Sequence, residues 1–247
     1  MSDQTLTEFP PFNQLADCRY GKMLFNRNDR YIGKSLNLYG EYSEAEIDLF
    51  RQIVKPGSLV VEVGANIGTH TLFLARQVGL DGAVVAFEPQ RVVFQSLCAN
   101  MALNSVTNVQ CFQKAVGAET GEILVPSLDC SREENYGGLS LEGWQQGEST
   151  PLVTIDSLNV GRCALLKVDV EGAEPRVLRG GISLLRGGCI RQIFLEWTPE
   201  CWLNQADLIS LLENKYDLWE LKWSRQTTVR ALSTLRVRAN LYLRLRT

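Results

Sequence analysis

From Leu59 onward the chain alternates short, nearly uninterrupted apolar runs with segments whose apolar residues recur at helical spacing. Residues 59–63, 83–87, 109–113, 164–170 and 192–197 read as strands, and residues 69–78, 91–103, 175–185 and 206–214 as helices. Strands that are apolar on both faces must be covered on both faces, which requires a parallel sheet with helices above and below it. Past Asp217 the rhythm changes: strand-like runs begin there and at Leu235 with no helix between them, as an antiparallel edge would read. Before Leu59, the segment "SEAEIDLFRQIV" reads as a helix capped by Ser43, with Ile47, Phe50 and Val54 on one face. Residues 19–25 and 31–39 alternate polar and apolar positions and predict a small β element ahead of the main domain.

Length and composition fit one decorated globular domain of 247 residues. No run of about eighteen apolar residues offers a membrane span, and the N-terminus "MSDQTLTEFPPF" has neither the basic nor the apolar region of a secretory leader. Seven cysteines without a CxxC pair speak against a disulfide framework or a zinc site, so a reduced, cytoplasmic protein is expected. The net charge of −3 conceals an asymmetry: from Lys222 to the end there are seven Lys or Arg residues and no acid, so the rest carries −10. Basic residues confined to one end do not predict a nucleic-acid partner.

Three motifs fall where an open α/β sheet binds ligands, at the carboxyl ends of its strands. The first is "VEVGANIG", a strand running into Gly64-Ala65-Asn66-Ile67-Gly68 and then a helix. A dinucleotide fingerprint is GxGxxG, whereas here the spacing is GxxxG, which suits close backbone contact with a ligand that carries no diphosphate, such as S-adenosylmethionine. Glu62, near the end of that strand, is placed to hold the ligand's amino group. The second is "AVVAFEPQ", whose Glu88 lies twenty residues past Gly68, where a carboxylate can accept hydrogen bonds from both ribose hydroxyls. The third is "ALLKVDVEGAEPRVLRGG", in which Lys167, Asp169 and Glu171 lie two apart and share one side of the strand if the extended pattern continues. Asp169 is expected to face the cleft. Lys167 either takes part in catalysis or forms an ion pair that fixes the strand end.

These motifs carry a resemblance. The chain resembles the FkbM-type family of S-adenosylmethionine-dependent methyltransferases through "VVEVGANIGTHTLFLA", "VVAFEPQ", "TIDSL", "LLKVDVEGAE" and "IFLEW", in that order, and from about "YGEYSEAE" to "NLYLRL". The resemblance implies a Rossmann-like class I methyltransferase fold: a mostly parallel seven-stranded sheet with an antiparallel C-terminal strand, helices on both faces, and a small N-terminal extension. It implies residues 1–42 as that extension and cleft flap, residues 43–247 as the methyltransferase domain, and S-adenosylmethionine as methyl donor. The donor is expected to meet Tyr42, Glu62, Gly64, Ala65, Asn66, Gly68, Thr69, Glu88, Pro89, Lys114, Ala115 and Asp169. Transfer to a hydroxyl of a sugar or other secondary metabolite follows from the family. N- or carboxyl-methylation of a peptide or amino-acid derivative, and a non-catalytic donor-binding partner, are the alternatives. Glu62 stands where the family often has aspartate, and the family is silent on the arginine-rich end.

Around that core, Asp169, Lys167, Glu196 and His70 are the catalytic candidates. His70 is the single histidine, at a helix start where the neutral form is favoured and a base could act. Asp169 and Glu196 offer the oxygen atoms a divalent cation takes, yet no metal is assigned. The loop 127–150 breaks the βα rhythm, and Asn135, Tyr136, Ser140 and Trp144, together with Trp197, are expected to meet a small-molecule acceptor. Arginines 236, 238, 244 and 246 alternate with apolar residues and predict a strand with one basic face, which would favour an anionic acceptor beside the cleft.

Overall fold

The computed structural model describes residues 11–140, 143–222 and 225–246. Residues 1–10, which include most of the segment read for a leader, and Leu141 and Glu142 of the middle loop lie outside the described residues. Five parallel strands form the heart of the sheet: β3 (Leu59–Val63), β4 (Ala83–Phe87), β5 (Val109–Phe112), β9 (Leu165–Val168) and β10 (Gln192–Trp197). Antiparallel strands β11 (Tyr216–Lys222), β12 (Arg225–Thr228) and β13 (Ala239–Leu245) extend it, giving the order β12-β11-β13-β10-β9-β3-β4-β5. Among the described residues the sheet therefore has eight strands rather than seven, because the chain after β11 folds back as the edge strand β12.

The alternation of side chains along β3 shows how both faces are covered. Val61 and Val63 share a core with Val177 and Leu178 of α5 (Glu174–Arg179), Leu185 of α6 (Ile182–Arg186), and Leu208 and Leu212 of α7 (Ala206–Lys215). Val60 points the other way, into a core with Ile47 and Phe50 of α2 (Glu44–Ile53) and Phe73 and Leu74 of α3 (Thr69–Val78). The single helix expected over 175–185 is broken in two at Gly180-Gly181, where a Cβ on Gly180 would lie 1.9 Å from the Gly117 carbonyl oxygen. The third strand motif also ends early. β9 stops at Val168, and Glu171 adopts φ 52°, so Lys167, Asp169 and Glu171 do not continue one strand face.

The N-terminal segment is a hairpin of β1 (Asn13–Cys18) and β2 (Gly21–Asn26), but residues 31–39 are not its strand. They form helix α1 (Ile32–Tyr39), whose Ile32 and Leu36 bury one face and whose carboxyl end is closed by Gly40 at φ 67°. Asn100 of α4 (Arg91–Leu103) fastens this extension: its amide exchanges two hydrogen bonds with Leu24 of β2 and donates a third to the Ile67 carbonyl.

The stretch after β5 contains its own small sheet of β6 (Ala115–Val116), β7 (Gly121–Val125) and β8 (Glu148–Val153). The loop between β7 and β8 is tied back to the N-terminal segment, since Asn26 and Asn28 both donate to the Cys130 carbonyl. All seven cysteines are free thiols. Among the described residues no helix is long and apolar enough to cross a membrane.

Candidate active site

Strand order reverses beside β3: the chain runs β3-β4-β5 to one side and returns to place β9 and β10 on the other. That switch point opens a crevice at the carboxyl ends of β3 and β9, where α/β sheets bind ligands. The turn after β3 is built for close approach. Gly64 has φ 80°, and a Cβ there would stand 1.8 Å from the Asp169 carbonyl oxygen. Only a glycine lets the two strand exits touch. Gly64→Ala is therefore expected to cost about 2–4 kcal/mol through clash and backbone strain. Thermal denaturation should show a drop of roughly 10 °C. Gly161→Ala, where a Cβ meets open space, is the control, and equal melting of the two variants would refute the packing argument.

Gly68 gives the close helix packing expected of it, against α4. At φ 89° it begins α3, and a Cβ would lie 2.7 Å from Leu97 Cδ1, so it seats α3 on α4 and does not line the crevice.

Two chambers meet at Gly64. The first, of about 430 Å³, is walled by Tyr42, Ala65, Asn66, Thr69, His70 and Glu88, and by Lys167, Asp169 and Glu196. The second, of about 650 Å³, is more apolar and is bounded by Phe87, Pro89, Lys114, Ala115, Leu152 and Trp144. Apart from Glu62 and Gly68, the residues expected to hold the donor divide between these two chambers, which share Gly64. Glu88 accepts from the backbone N–H of Asn66 at 3.0 Å and of Gln90 at 2.9 Å. Burial pushes its carboxyl up to about 7, although those N–H groups oppose the shift.

Glu62 is not on the wall of either chamber. It is fully buried, with Thr71 Oγ1 donating to it at 2.6 Å and Lys167 Nζ paired with it as an ion at 3.6 Å. The reason is register: Glu62 pairs with Lys167 across the β3–β9 ladder, so both point toward the α2–α3 face. Lys167 is 1 % exposed and also faces Asp169 Oδ2 at 3.5 Å. Burial disfavours its ammonium, but Asp169, Glu62 and Glu46 together raise its pKa above the ordinary value. The ion pair that fixes the strand ends is present, and Asp169, 41 % exposed, is its arm into the crevice.

His70 lies 3.5 Å from Glu46 and is held well below its ordinary pKa by burial and by Lys167, so it is neutral. Glu46, in the first turn of α2, is on the wall as well. So are Gln90, the last residue of the second motif, and Asn240, neither of which was expected at the site.

On the acceptor side the loop behaves differently from expectation. Asn135 lines the first chamber, but Tyr136 is 4 % exposed and its hydroxyl bonds the carbonyls of Asp129 and Arg132 within its own loop. The Ser140 carbonyl accepts from Trp144 Nε1. Trp197 is 2 % exposed and stacks on Trp202 at 4.5 Å, so it belongs to the core under α7 and not to the crevice.

The basic strand face does not form either. Arg244 and Arg246 both pair with Asp217, while Arg238, ahead of β13, binds Glu171 and Glu196 at the chamber wall. Asp169, Glu171 and Glu196 offer oxygens within 4.8 Å of one another, but the Arg238 guanidinium already pairs with two of the three.

Residues 62–217 match the Methyltransferase FkbM domain. "Methyltransferase 1" of Beauveria bassiana is 30 % identical over half of this chain and 58 % of its own length, so the match spans less than two thirds of that relative. "Methyltransferase sdnD" of Sordaria araneosa is 27 % identical over 63 % of this chain and 72 % of its own. Among solved structures, Trm5b from Pyrococcus abyssi superposes with a TM-score of 0.50 at 13 % identity, over 96 % of this chain and 56 % of that one, a likeness of fold alone. With the family model covering well over half of its length, the chain belongs to the FkbM methyltransferase family.

Proposed function

We propose that this chain transfers a methyl group from S-adenosylmethionine to a hydroxyl of a sugar or related metabolite. The observation that carries the reading is the pair of chambers meeting at Gly64, one polar with Glu88 on its wall and one apolar. A nucleoside with a polar amino-acid tail needs both kinds of surface. The residues fit such a donor. Glu88 keeps lone pairs for ribose hydroxyls, and Pro89, Lys114 and Ala115 offer a slot for a base beside Phe87.

Bound S-adenosylmethionine supplies an electrophilic methyl group on a cationic sulfur. The protein's part is to place the acceptor in line with that methyl and to remove its proton. Asp169, held by Lys167 and open to the crevice, is the base in this reading. Asn135 and the backbone at Gly137 and Gly138 close the acceptor side.

N-methylation keeps one observation in its favour. The first chamber presents Glu46, Glu88, Asp169, Glu171 and Glu196 against Lys167 and Arg238, an acid excess that suits a cationic amine. The anionic acceptor loses the basic face on which it rested.

Calorimetry with S-adenosylhomocysteine and, separately, NAD tests the donor. Binding of the first with no binding of the second is expected, and the reverse would sink the reading. Mass spectrometry of a reaction with labelled donor then places the label on oxygen or on nitrogen. An N-methyl product would overturn the hydroxyl assignment.

A further inference from the structure

Among the described residues, three side chains on the wall of the first chamber carry a buried polar atom with no hydrogen-bond partner: Gln90 at Oε1, Glu46 at Oε2 and His70 at Nε2. The last two lie 3.5 Å apart, on side chains 12 % and 5 % exposed. Buried polar atoms are seldom left unpaired, and a pair of them facing one cavity marks a place where a ligand completes the bonding. The remaining oxygen of Glu46 is already used, because Asn240 Nδ2 donates to Oε1 at 3.0 Å.

The charges nearby decide what that ligand group is. Around Glu46 stand Tyr42 and Ser43 ahead of α2, His70 on α3, Lys167 and Asp169 at the end of β9, Glu196 on β10 and Asn240 on β13. The one ammonium among them, Lys167, is shared between Glu62 and Asp169. A ligand carboxylate brought here would face Glu46 and Asp169, with no free cation among the described residues around Glu46 to receive it. A ligand ammonium would gain a charge-assisted bond to Glu46 Oε2 and have a neutral imidazole nitrogen beside it. Glu62, which the motif alone suggested for this duty, is sealed behind Lys167.

We propose that Glu46, with His70 beside it, seats the ammonium of the ligand's amino-acid end. The assignment rests on the reading above, in which that ligand is S-adenosylmethionine. It moves the anchor of the donor's tail from the strand carboxylate to the first turn of α2, directly after the Tyr42 segment. A consequence in protons follows. Burial holds the Glu46 carboxyl up to about 7 in the free protein, against the pull of Lys167. An ammonium at Oε2 favours the ionised form, so binding below pH 7 expels a proton, and binding well above it expels none.

The test compares S-adenosylhomocysteine with 5′-methylthioadenosine, which has the same nucleoside and no amino-acid end, by calorimetry on the whole chain. In Glu46→Gln, which keeps an oxygen for Asn240, the preference for S-adenosylhomocysteine at pH 8 should fall about tenfold or more. That is about 1.4 kcal/mol. Affinity for 5′-methylthioadenosine should stay within about twofold, which also reports an intact fold. Should the variant fail to fold, wild type alone decides. At pH 6, titrations in buffers of different ionisation enthalpy should show about one more proton released with S-adenosylhomocysteine than with 5′-methylthioadenosine, since the Glu88 carboxyl, also up to about 7, meets the ribose of both. An unchanged preference in the variant overturns the assignment. Equal weakening of both ligands, or equal proton release with both, does so too. If wild type binds neither compound, the donor reading itself falls and takes this assignment with it. Binding of both without preference removes the ammonium seat and leaves the donor reading standing.

Discussion

Asp169→Asn is expected to abolish most methyl transfer while leaving donor affinity within a few-fold of wild type. The side chain stands where β9 ends, its carbonyl pressed against Gly64 and its carboxylate 3.5 Å from Lys167. Asparagine has nearly the same shape, and Lys167 retains Glu62, so the strand exits and the chambers should keep their form. What disappears is a carboxylate able to take a proton from an acceptor hydroxyl. An unactivated alcohol is a poor nucleophile, and general-base action is typically worth 10²–10⁴-fold in rate. A loss in that range is expected in single-turnover transfer of label to the acceptor found by product analysis. S-adenosylhomocysteine affinity, measured alongside, separates lost chemistry from lost binding. Turnover within a few-fold of wild type would mean that Asp169 only helps to position the acceptor, or that the base lies elsewhere.

How the fold could be foreseen, and where foresight stopped, follows from how local each signal is. Strands β3, β4 and β10 and helices α3 and α4 begin and end at the expected residues, because their boundaries are written in adjacent chemistry. An apolar run meets a glycine turn, and the turn starts a helical period. Helix α1 reads as a strand in sequence because residues 31–39 alternate polar and apolar positions. The deciding features are Ile32 and Leu36 four apart and Gly40 behind them. The hairpin of β7 and β8 hides in a polar, glycine-rich stretch because most of β7 is exposed and carries little apolar pattern.

At the site, Gly64, Asn66, Glu88 and Asp169 were legible as motif residues, and all four line the first chamber. Glu46 was not, because its chemistry arises only when α2 lies against α3 and brings it to His70, 24 positions away in sequence. Arg238 likewise read as one tooth of a basic comb. Its actual partners come from strands distant in sequence that the sheet brings alongside β13: Glu196 on β10, which pairs with β13, and Glu171 just past β9. Trp197 shows the converse error: an aromatic beside a cleft glutamate suggested a substrate, but strand alternation turns it into the core on the face opposite Glu196.

Lys167→Met is expected to cost about 3–5 kcal/mol of stability, the usual price of stranding one partner of a buried ion pair. Methionine fills much the same volume, so lost packing contributes little. The loss is electrostatic: Glu62, with 0 % of its side chain exposed, would keep only the Thr71 hydroxyl. Its response to pH gives the argument its sign. Burial already raises the Glu62 pKa, and Lys167 is the chief opposing influence, so removing Lys167 raises it further. A carboxylate whose folded pKa lies above its unfolded value binds more protons when folded, so stability falls as pH rises above the unfolded value of about 4.3. The variant should therefore lag wild type least near pH 5 and most near pH 8. Lys167 itself, with its pKa raised in the fold, stabilises wild type across that whole window and loses its effect only at alkaline pH. Denaturant titrations at pH 5 and pH 8 measure both arms. Adding Glu62→Gln to Lys167→Met should restore part of the stability at pH 8 and little at pH 5, because the amide removes the stranded charge and keeps an acceptor for Thr71. A pH-independent deficit, or no recovery in the double variant, would mean that Lys167 matters through its aliphatic chain and that the Glu62–Lys167–Asp169 network does not hold the two strand exits together.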